Sequence, residues 1–172
     1  MNFIEIITTG GTIEKLYDED HGTLVNRQSI VSRMLSELRL ENLTWNITEL
    51  MSKDSLEIDD RDRQKIVEAV RVLLAQKRSQ RLDGIVILHG TDTLPLTGEL
   101  LFETFPDTNV PIVLTGAMRP FELRKSDALQ NLTEAIFAAR IYKSGVHCVA
   151  HGLSLSFPGV AKDRKRGTFA KQ

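Results

Sequence analysis

Apolar residues in this chain gather into short blocks separated by polar, glycine-rich turns, and the spacing within each block predicts its element. Ile85-Val86-Ile87-Leu88 stands between Gly84 and Gly90. Such a run is too short for a buried helix and reads as a strand covered on both faces, the habit of a parallel sheet. Phe3 to Thr8, Ile112 to Leu114 and Val146 to Ala150 read as strands too, and Leu43, Trp45 and Ile47 alternate as strand residues do. Ile30, Val31, Met34, Leu35 and Leu38 recur at helical spacing. So do Ile66, Val67, Val70, Leu73 and Leu74, and later Leu129, Leu132, Ile136 and Ile141. Leu96 to Phe105 predicts a short helix, opened by Pro95 and broken by Pro106, Asp107 and Asn109. Asp59, Asp60 and Asp62 fall at the positive end of the helix that follows them. Asp127 is placed to cap the last helix and Gly145 to stop it. Glu14 to Gln28 is polar and without period, and reads as a mobile loop. Beyond Gly152 the chain reads as less regular.

The order is β-α-β-α-β-α-β-α-β, with no internal repeat and no low-complexity linker. Alternation of this kind predicts an α/β fold: a doubly wound, mostly parallel sheet with helices on both faces, in a single domain. Several strands end in Gly, Thr, Ser or Asp, so the polar chemistry is expected along one edge of the sheet, where open α/β sheets place ligands.

Composition narrows the classes. A chain of 172 residues fits one domain with a real core. With 41% hydrophobic residues it is not disordered, and no apolar run is long enough to cross a membrane. A formal net charge of -1 gives no reason to expect nucleic acid or anionic membrane as the main partner. The single cysteine, Cys148, excludes an intramolecular disulfide and every multi-Cys zinc pattern. Lying in an apolar run, it reads as a small core residue. The N-terminus lacks the basic stretch and cleavage site of a signal peptide, so the expected location is cytoplasmic.

Two turns carry hydroxyl chemistry. Thr9-Gly10-Gly11-Thr12 has neither the Lys-Ser/Thr ending of a P-loop nor the spacing of a dinucleotide fingerprint. Its glycines let substrate and backbone N–H groups approach closely. A hydroxyl at Thr12 is placed to attack a carbonyl, with N–H groups taking the oxyanion. Thr91-Asp92, at the end of another strand, adds a second hydroxyl and a carboxylate. No histidine is an obvious base: His89 points away from its turn if strand alternation holds, and His21, His147 and His151 lack metal-ligand spacing. The other route to activation is a lysine oriented by a carboxylate. Asp92 supplies the carboxylate, and Lys162 is a candidate lysine, with Lys165 nearly as well placed. The basic run Lys162 to Arg166 lacks the interleaved aromatics of a nucleic-acid patch. His151-Gly152-Leu153-Ser154-Leu155 begins like a nucleophile elbow but has Leu155 where the second glycine belongs. Asp54-Ser55 reads by itself as a turn pair.

Taken together, Thr8-Thr9-Gly10-Gly11-Thr12-Ile13, His89-Gly90-Thr91-Asp92-Thr93-Leu94 and Leu114-Thr115-Gly116-Ala117-Met118-Arg119-Pro120 resemble the amino-terminal domain of the bacterial-type L-asparaginase family, which includes glutaminase-asparaginases. Ser126-Asp127 and Asn131-Leu132 extend the resemblance, which runs from about Phe3 to the end of the chain. It implies a flavodoxin-like domain over residues 1–172 and hydrolysis of the side-chain amide of asparagine to aspartate and ammonia, with no metal or organic cofactor. By position it implies Thr12 as nucleophile and Thr91, Asp92 and Lys162 as a cluster in which lysine activates threonine; which threonine attacks first stays open. Tyr17 corresponds to the loop tyrosine that contacts the nucleophile. Gly11, Asp54, Ser55, Gly90 and Asp92 are implied to bind substrate, with Asp92 holding its α-ammonium. Family enzymes usually carry a second, smaller α/β domain that this sequence lacks, which leaves the choice between asparagine and glutamine open. A homodimer or higher homo-oligomer closing the site is the expected assembly, with a small-molecule amide and neither nucleic acid nor membrane as partner. The alternatives are another amide hydrolase and a non-catalytic amino-acid-binding domain.

Overall fold

A computed structural model describes residues 2–76 and 80–172. The elements, in chain order, are β1 (Asn2–Gly10), the hairpin β2 (Leu16–Asp18) and β3 (Thr23–Val25), α1 (Val31–Ser36), β4 (Leu43–Lys53), α2 (Asp60–Ala75), β5 (Gly84–Leu88), α3 (Leu94–Thr104), β6 (Ile112–Thr115), α4 (Ala128–Ile141), β7 (Val146–Ala150), β8 (Leu153–Ser156), β9 (Val160–Asp163) and β10 (Thr168–Lys171). Six strands form one sheet in the order β4-β1-β5-β6-β7-β8. The first five are parallel and β8 joins β7 antiparallel.

The uninterrupted apolar run in β5 is explained by a core on each face. Val86 and Leu88 pack with Ile4, Ile6 and Val113 against Met34 and Leu35 of α1 and Leu132 and Ile136 of α4. Ile85 and Ile87 point the other way, with Ile7 and Leu114, onto Ile66 and Val70 of α2 and Leu94 and Leu101 of α3. Helices therefore cover both faces, as the alternation predicts. All four β5 residues from Ile85 to Leu88 are fully buried, and burying each such side chain is worth about 1.5–3 kcal/mol. α2 opens with a capping box in which Asp59 accepts the Asp62 N–H at 2.9 Å.

Three segments differ from the sequence reading. Glu14 to Gln28 is not irregular: β2 and β3 pair antiparallel, with Tyr17 opposite Leu24. Strands of three residues are too short to show a period. What closes them is the Asp18 carboxylate, which accepts from the Asp20 N–H at 3.1 Å, from Arg27 at 2.8 Å and from His21 at 3.0 Å. The stretch past Gly152 is also regular. Ala150 pairs with Leu153, so His151 and Gly152 form a two-residue hairpin loop with φ of 55° and 74°. Positive φ at both positions is the hairpin-compatible turn, here built with His-Gly where Asn-Gly is the usual signal. Asp127 stands at the N-cap position of α4, but its side chain makes no cap hydrogen bond. It serves the turn after β6 instead.

Candidate active site

The carboxyl ends of β1, β4, β5 and β6 bring their turns together through missing side chains. A Cβ at Gly11 would lie 2.4 Å from the Gly90 Cα, and one at Gly90 would lie 2.3 Å from the Ser55 Cβ. The turns after β1, β5 and β4 thus stack in backbone contact, and Gly11 adopts φ of 77° to do so. Thr12 and Thr91 each follow one of the touching glycines, so the two turns that carry them lie side by side. A Cβ at Gly116, in the turn after β6, would come within 3.2 Å of the Thr91 Cγ2. That turn forms the far wall of the Thr91 position.

Thr91 is 3% exposed. Its hydroxyl accepts a hydrogen bond from Lys162 Nζ at 2.7 Å, and the same Nζ lies 3.1 Å from Asp92 Oδ1. Lys162 is carried by β9, directly opposite Phe169 of β10, which is buried in the core. Gly98 of α3 leaves room for the Phe157 ring at the start of this segment: a Cβ there would stand 1.9 Å from the ring. The lysine therefore sits on a seated hairpin. Lys165, the other candidate amine, is exposed on the following turn. Arg164 reaches back to Asp92 Oδ1 at 2.6 Å.

Thr12 is partly buried and begins a 3-10 turn, Thr12–Glu14. Glu14, 1% exposed, anchors that turn. Its carboxylate accepts from the Gly10 N–H at 3.1 Å, the Ile30 N–H at 3.3 Å and the Ser29 hydroxyl. Burial pushes Glu14 up to about 7, against the pull of these donors. Asn26, just past β3, donates to the Gly11 carbonyl at 2.9 Å. Tyr17 is 57% exposed on β2, and its backbone N–H donates to Glu122 at 2.7 Å. Its hydroxyl lies near Gly22, at the hairpin tip, 3.9 Å from where a Cβ would be. The Tyr17 and Lys165 side chains are thus not gathered with the Thr91, Asp92 and Lys162 cluster.

Asp54 caps the short turn Ser55–Glu57 by accepting the Leu56 N–H at 3.1 Å, and it pairs with Lys15 at 2.5 Å. The Lys15 ammonium holds the Asp54 carboxyl below its usual range, and Lys162 adds to this through space. Ser55 is buried, and its carbonyl accepts from the Thr93 hydroxyl at 2.8 Å. Beside Lys15 and Asp54 opens a cleft of about 470 Å³, lined also by Leu24, Asn26 and Glu57. That volume lies within the range of small-molecule sites.

His89 is fully buried and turned away from the rim. Its Nδ1 donates to the Gly90 carbonyl at 2.8 Å and its Nε2 accepts from Thr97 at 2.9 Å. Burial lowers it to about 4, so it is a neutral structural imidazole. Behind the Gly116 wall lies a cluster that sequence reasoning missed. Asp127 accepts the N–H groups of Met118 and Arg119, each at 2.9 Å, and binds His151 Nε2 at 2.6 Å. Asn131 donates to the Gly116 carbonyl at 2.9 Å, and His151 Nδ1 meets the Thr168 hydroxyl at 2.8 Å. The i, i+4 spacing of Asp127 and Asn131 on one helix was the available signal. Lys15 and Arg164 were missed as well. Arg164 stands two residues after Lys162, on the turn just past β9. Among the described residues, no group of three or more His, Cys, Asp and Glu side chains is arranged to hold a metal ion, and no helix is long and apolar enough to cross a membrane.

Chemically, the arrangement offers two threonine hydroxyls on adjoining turns, Thr12 and Thr91. The Thr91 hydroxyl is bonded to an amine that the Asp92 carboxylate orients, which is the layout for moving a proton to or from a threonine oxygen.

A family model described as Asparaginase, N-terminal matches residues 3–162. A glutamyl-tRNA(Gln) amidotransferase subunit from Methanobrevibacter smithii is 32% identical over 150 residues, covering 87% of this chain and 33% of that protein. The L-asparaginase of Thermococcus kodakarensis is 30% identical over 142 residues, covering 83% of this chain and 42% of that one. In structure, the thermostable L-asparaginase from Thermococcus kodakarensis superposes with a TM-score of 0.84 at 28% identity, over 98% of this chain and 51% of that chain. A probable cytoplasmic L-asparaginase from Campylobacter jejuni gives a TM-score of 0.81 at 27% identity, over 99% and 53%. The chain thus spans a third to two-fifths of these curated relatives and about half of these solved chains. With the family model matching nearly its whole length, the chain belongs to the asparaginase family and corresponds to the amino-terminal domain of its members.

Proposed function

We propose that this chain hydrolyses the side-chain amide of L-asparagine to L-aspartate and ammonia. The observation that carries the reading is the 2.7 Å bond from Lys162 Nζ to the Thr91 hydroxyl, beside the turn that carries Thr12. In this mechanism the Thr12 hydroxyl attacks the amide carbon, ammonia leaves, and water releases aspartate from the acyl-enzyme. Thr91 and Lys162 relay the proton, with Asp92 orienting the amine. Asp54, Ser55, Gly11 and Gly90 border the substrate, and Tyr17 reaches it only by movement of the β2–β3 hairpin. The reading includes a cytoplasmic enzyme working without metal or organic cofactor, its open site closed by a second copy of the chain.

The family match and the L-asparaginase neighbours support amide hydrolysis. A second reading, hydrolysis of glutamine or of an amide within a larger assembly, is favoured by the relative named as an amidotransferase subunit. A coupled ammonia assay with asparagine and glutamine on purified protein separates the two. Thr12→Ala and Thr91→Ala are each expected to lower turnover by about 10³-fold or more. Near wild-type ammonia release from a folded Thr12→Ala protein would falsify the mechanism.

A further inference from the structure

Thr91 and Asp92 follow β5 of the six-stranded sheet, but Lys162 does not belong to that sheet. β9 and β10 form a two-stranded sheet of their own, so no strand ladder sets the lysine against Thr91. One face of this ribbon is seated by apolar contact. Phe169, directly opposite Lys162, is buried with Phe157 in the core shared with α3. Such contact fills space without fixing a direction, and a ribbon held by it alone is free to rock about its long axis. The neighbouring residue, Thr168, points to the other face and carries a directional bond. It is 7% exposed, and its hydroxyl meets His151 Nδ1 at 2.8 Å. Nε2 of the same ring meets Asp127 Oδ2 at 2.6 Å. With the Nε2 proton on the carboxylate, Nδ1 is left as the acceptor for the Thr168 hydroxyl. The ring therefore bridges β10 to the start of α4.

The other ties of α4 run to the far wall of Thr91. Asp127 accepts the N–H groups of Met118 and Arg119. Asn131 donates to the Gly116 carbonyl and accepts the His151 N–H, each at 2.9 Å. The Gly116 turn and the Lys162 amine flank Thr91, and His151 joins them from behind. Lys162 Nζ stands at the end of a four-carbon stem, so a small rotation of the ribbon moves it off the Thr91 oxygen. A misplacement of about 1 Å between reacting groups costs on the order of 100-fold in rate.

We infer that His151 is a positioning residue for amide hydrolysis: through the Thr168 hydroxyl it holds the β9–β10 ribbon at the angle that keeps Lys162 Nζ on Thr91, and through Asp127 it ties that ribbon to the Gly116 wall. It acts through Thr168 and not on the substrate. The inference rests on the amide-hydrolase reading above for its rate, but not for its lysine test.

Trace acetylation with acetic anhydride, read by peptide mass spectrometry, compares Lys162 with the exposed Lys165 on the following turn. In the wild type Lys162, 15% exposed and bonded to Thr91 and Asp92, should react more slowly. Thr168→Val keeps the shape of the side chain and removes its hydroxyl. This variant and His151→Ala are each expected to raise the Lys162-to-Lys165 ratio by about fivefold, the weight of one net hydrogen bond. Both should lower kcat for ammonia release by about 10- to 100-fold with KM nearly unchanged. Thr168→Ser, which keeps the hydroxyl, should return both readouts to near wild type. The double variant should cost no more than the worse single one, because both changes cut one link. Circular dichroism and urea unfolding check that each variant is folded; should His151→Ala not fold, the Thr168 pair decides alone. If Thr168→Val lowers stability but leaves the lysine ratio and kcat unchanged, or if Thr168→Ser behaves as Val does, His151 serves only the fold and the inference fails. A raised KM with kcat intact refutes it as well. Should the lysine ratio shift while the wild type releases no ammonia from asparagine or glutamine, the positioning assignment stands and the hydrolytic reading fails.

Discussion

A Cβ at Gly11 would lie 2.4 Å from the Gly90 Cα and 2.5 Å from the Gly90 nitrogen, and both obstacles are backbone. The residue's φ of 77° adds a second reason for glycine, since side chains rarely adopt it. Gly11→Ala must therefore part the turns that carry Thr12 and Thr91. A displacement near 1 Å between reacting groups costs on the order of 100-fold in rate. The variant should fold, with an unfolding midpoint lowered by an amount corresponding to about 1–3 kcal/mol of strain, and lose ammonia release by about that factor. Chemical denaturation and the coupled assay on one preparation test both parts. Unchanged turnover would mean that the two threonines need not keep this spacing. Asp92 shows a different limit of the residue scale. Its neighbours Thr91 and Thr93 are visible in the sequence, but the cations that fix its role, Lys162 and Arg164, arrive from about 70 positions away.

At the scale of elements, the buried strands and the four helices were legible because their residues face a core on a fixed period. β5 read directly, being apolar on both faces. The β2–β3 hairpin did not, because each strand has three residues and is closed by polar bonds to Asp18 that leave no apolar pattern. β8 was lost because its loop is His-Gly, and β9 and β10 because their strands are four residues long. Asp127 was legible as a helix start, yet its carboxylate ties α4 to Met118 and Arg119 and to the His151 ring. The i, i+4 spacing to Asn131 marks a shared helix face but does not show the long-range partners. The expectation that follows is specific. Asp127→Ala leaves two backbone N–H groups and one imidazole nitrogen without their acceptor, each worth about 1 kcal/mol or more. Urea unfolding should show a loss of about 2 kcal/mol, discounted for partial exposure. Because the freed turn holds Gly116 against Thr91, kcat should fall while the affinity for substrate changes less. Loss of stability with kcat intact would limit Asp127 to the fold.

At the scale of the whole molecule, two buried groups among the described residues, Glu14 and His89, titrate in opposite senses across mildly acid to neutral pH. Glu14 has its value raised from 4.5 to about 7, chiefly by burial. The folded chain therefore holds a proton there that the unfolded chain has released. The resulting stability is full below pH 4.5 and is lost as pH rises through 7. His89 has its value lowered from 6.5 to about 4, again by burial. Here the unfolded chain holds the extra proton, so the stability is full above pH 6.5 and is lost as pH falls through 4. Each shift corresponds to roughly 3 kcal/mol, and the two windows overlap almost completely. Folding then takes up about as many protons at Glu14 as it gives up at His89, and the stability of the wild-type chain should vary little between pH 4.5 and 6.5. Glu14→Gln removes one side of this balance. The Gln variant should become steadily more stable as pH rises from about 4 to about 7, by roughly 3 kcal/mol, because the His89 contribution is no longer opposed. Urea unfolding of both proteins at half-unit steps across that range measures the difference. Parallel stability curves for the two would show that Glu14 does not exchange its proton on folding, and the buried carboxylate beside the Thr12 turn would then be ionised throughout.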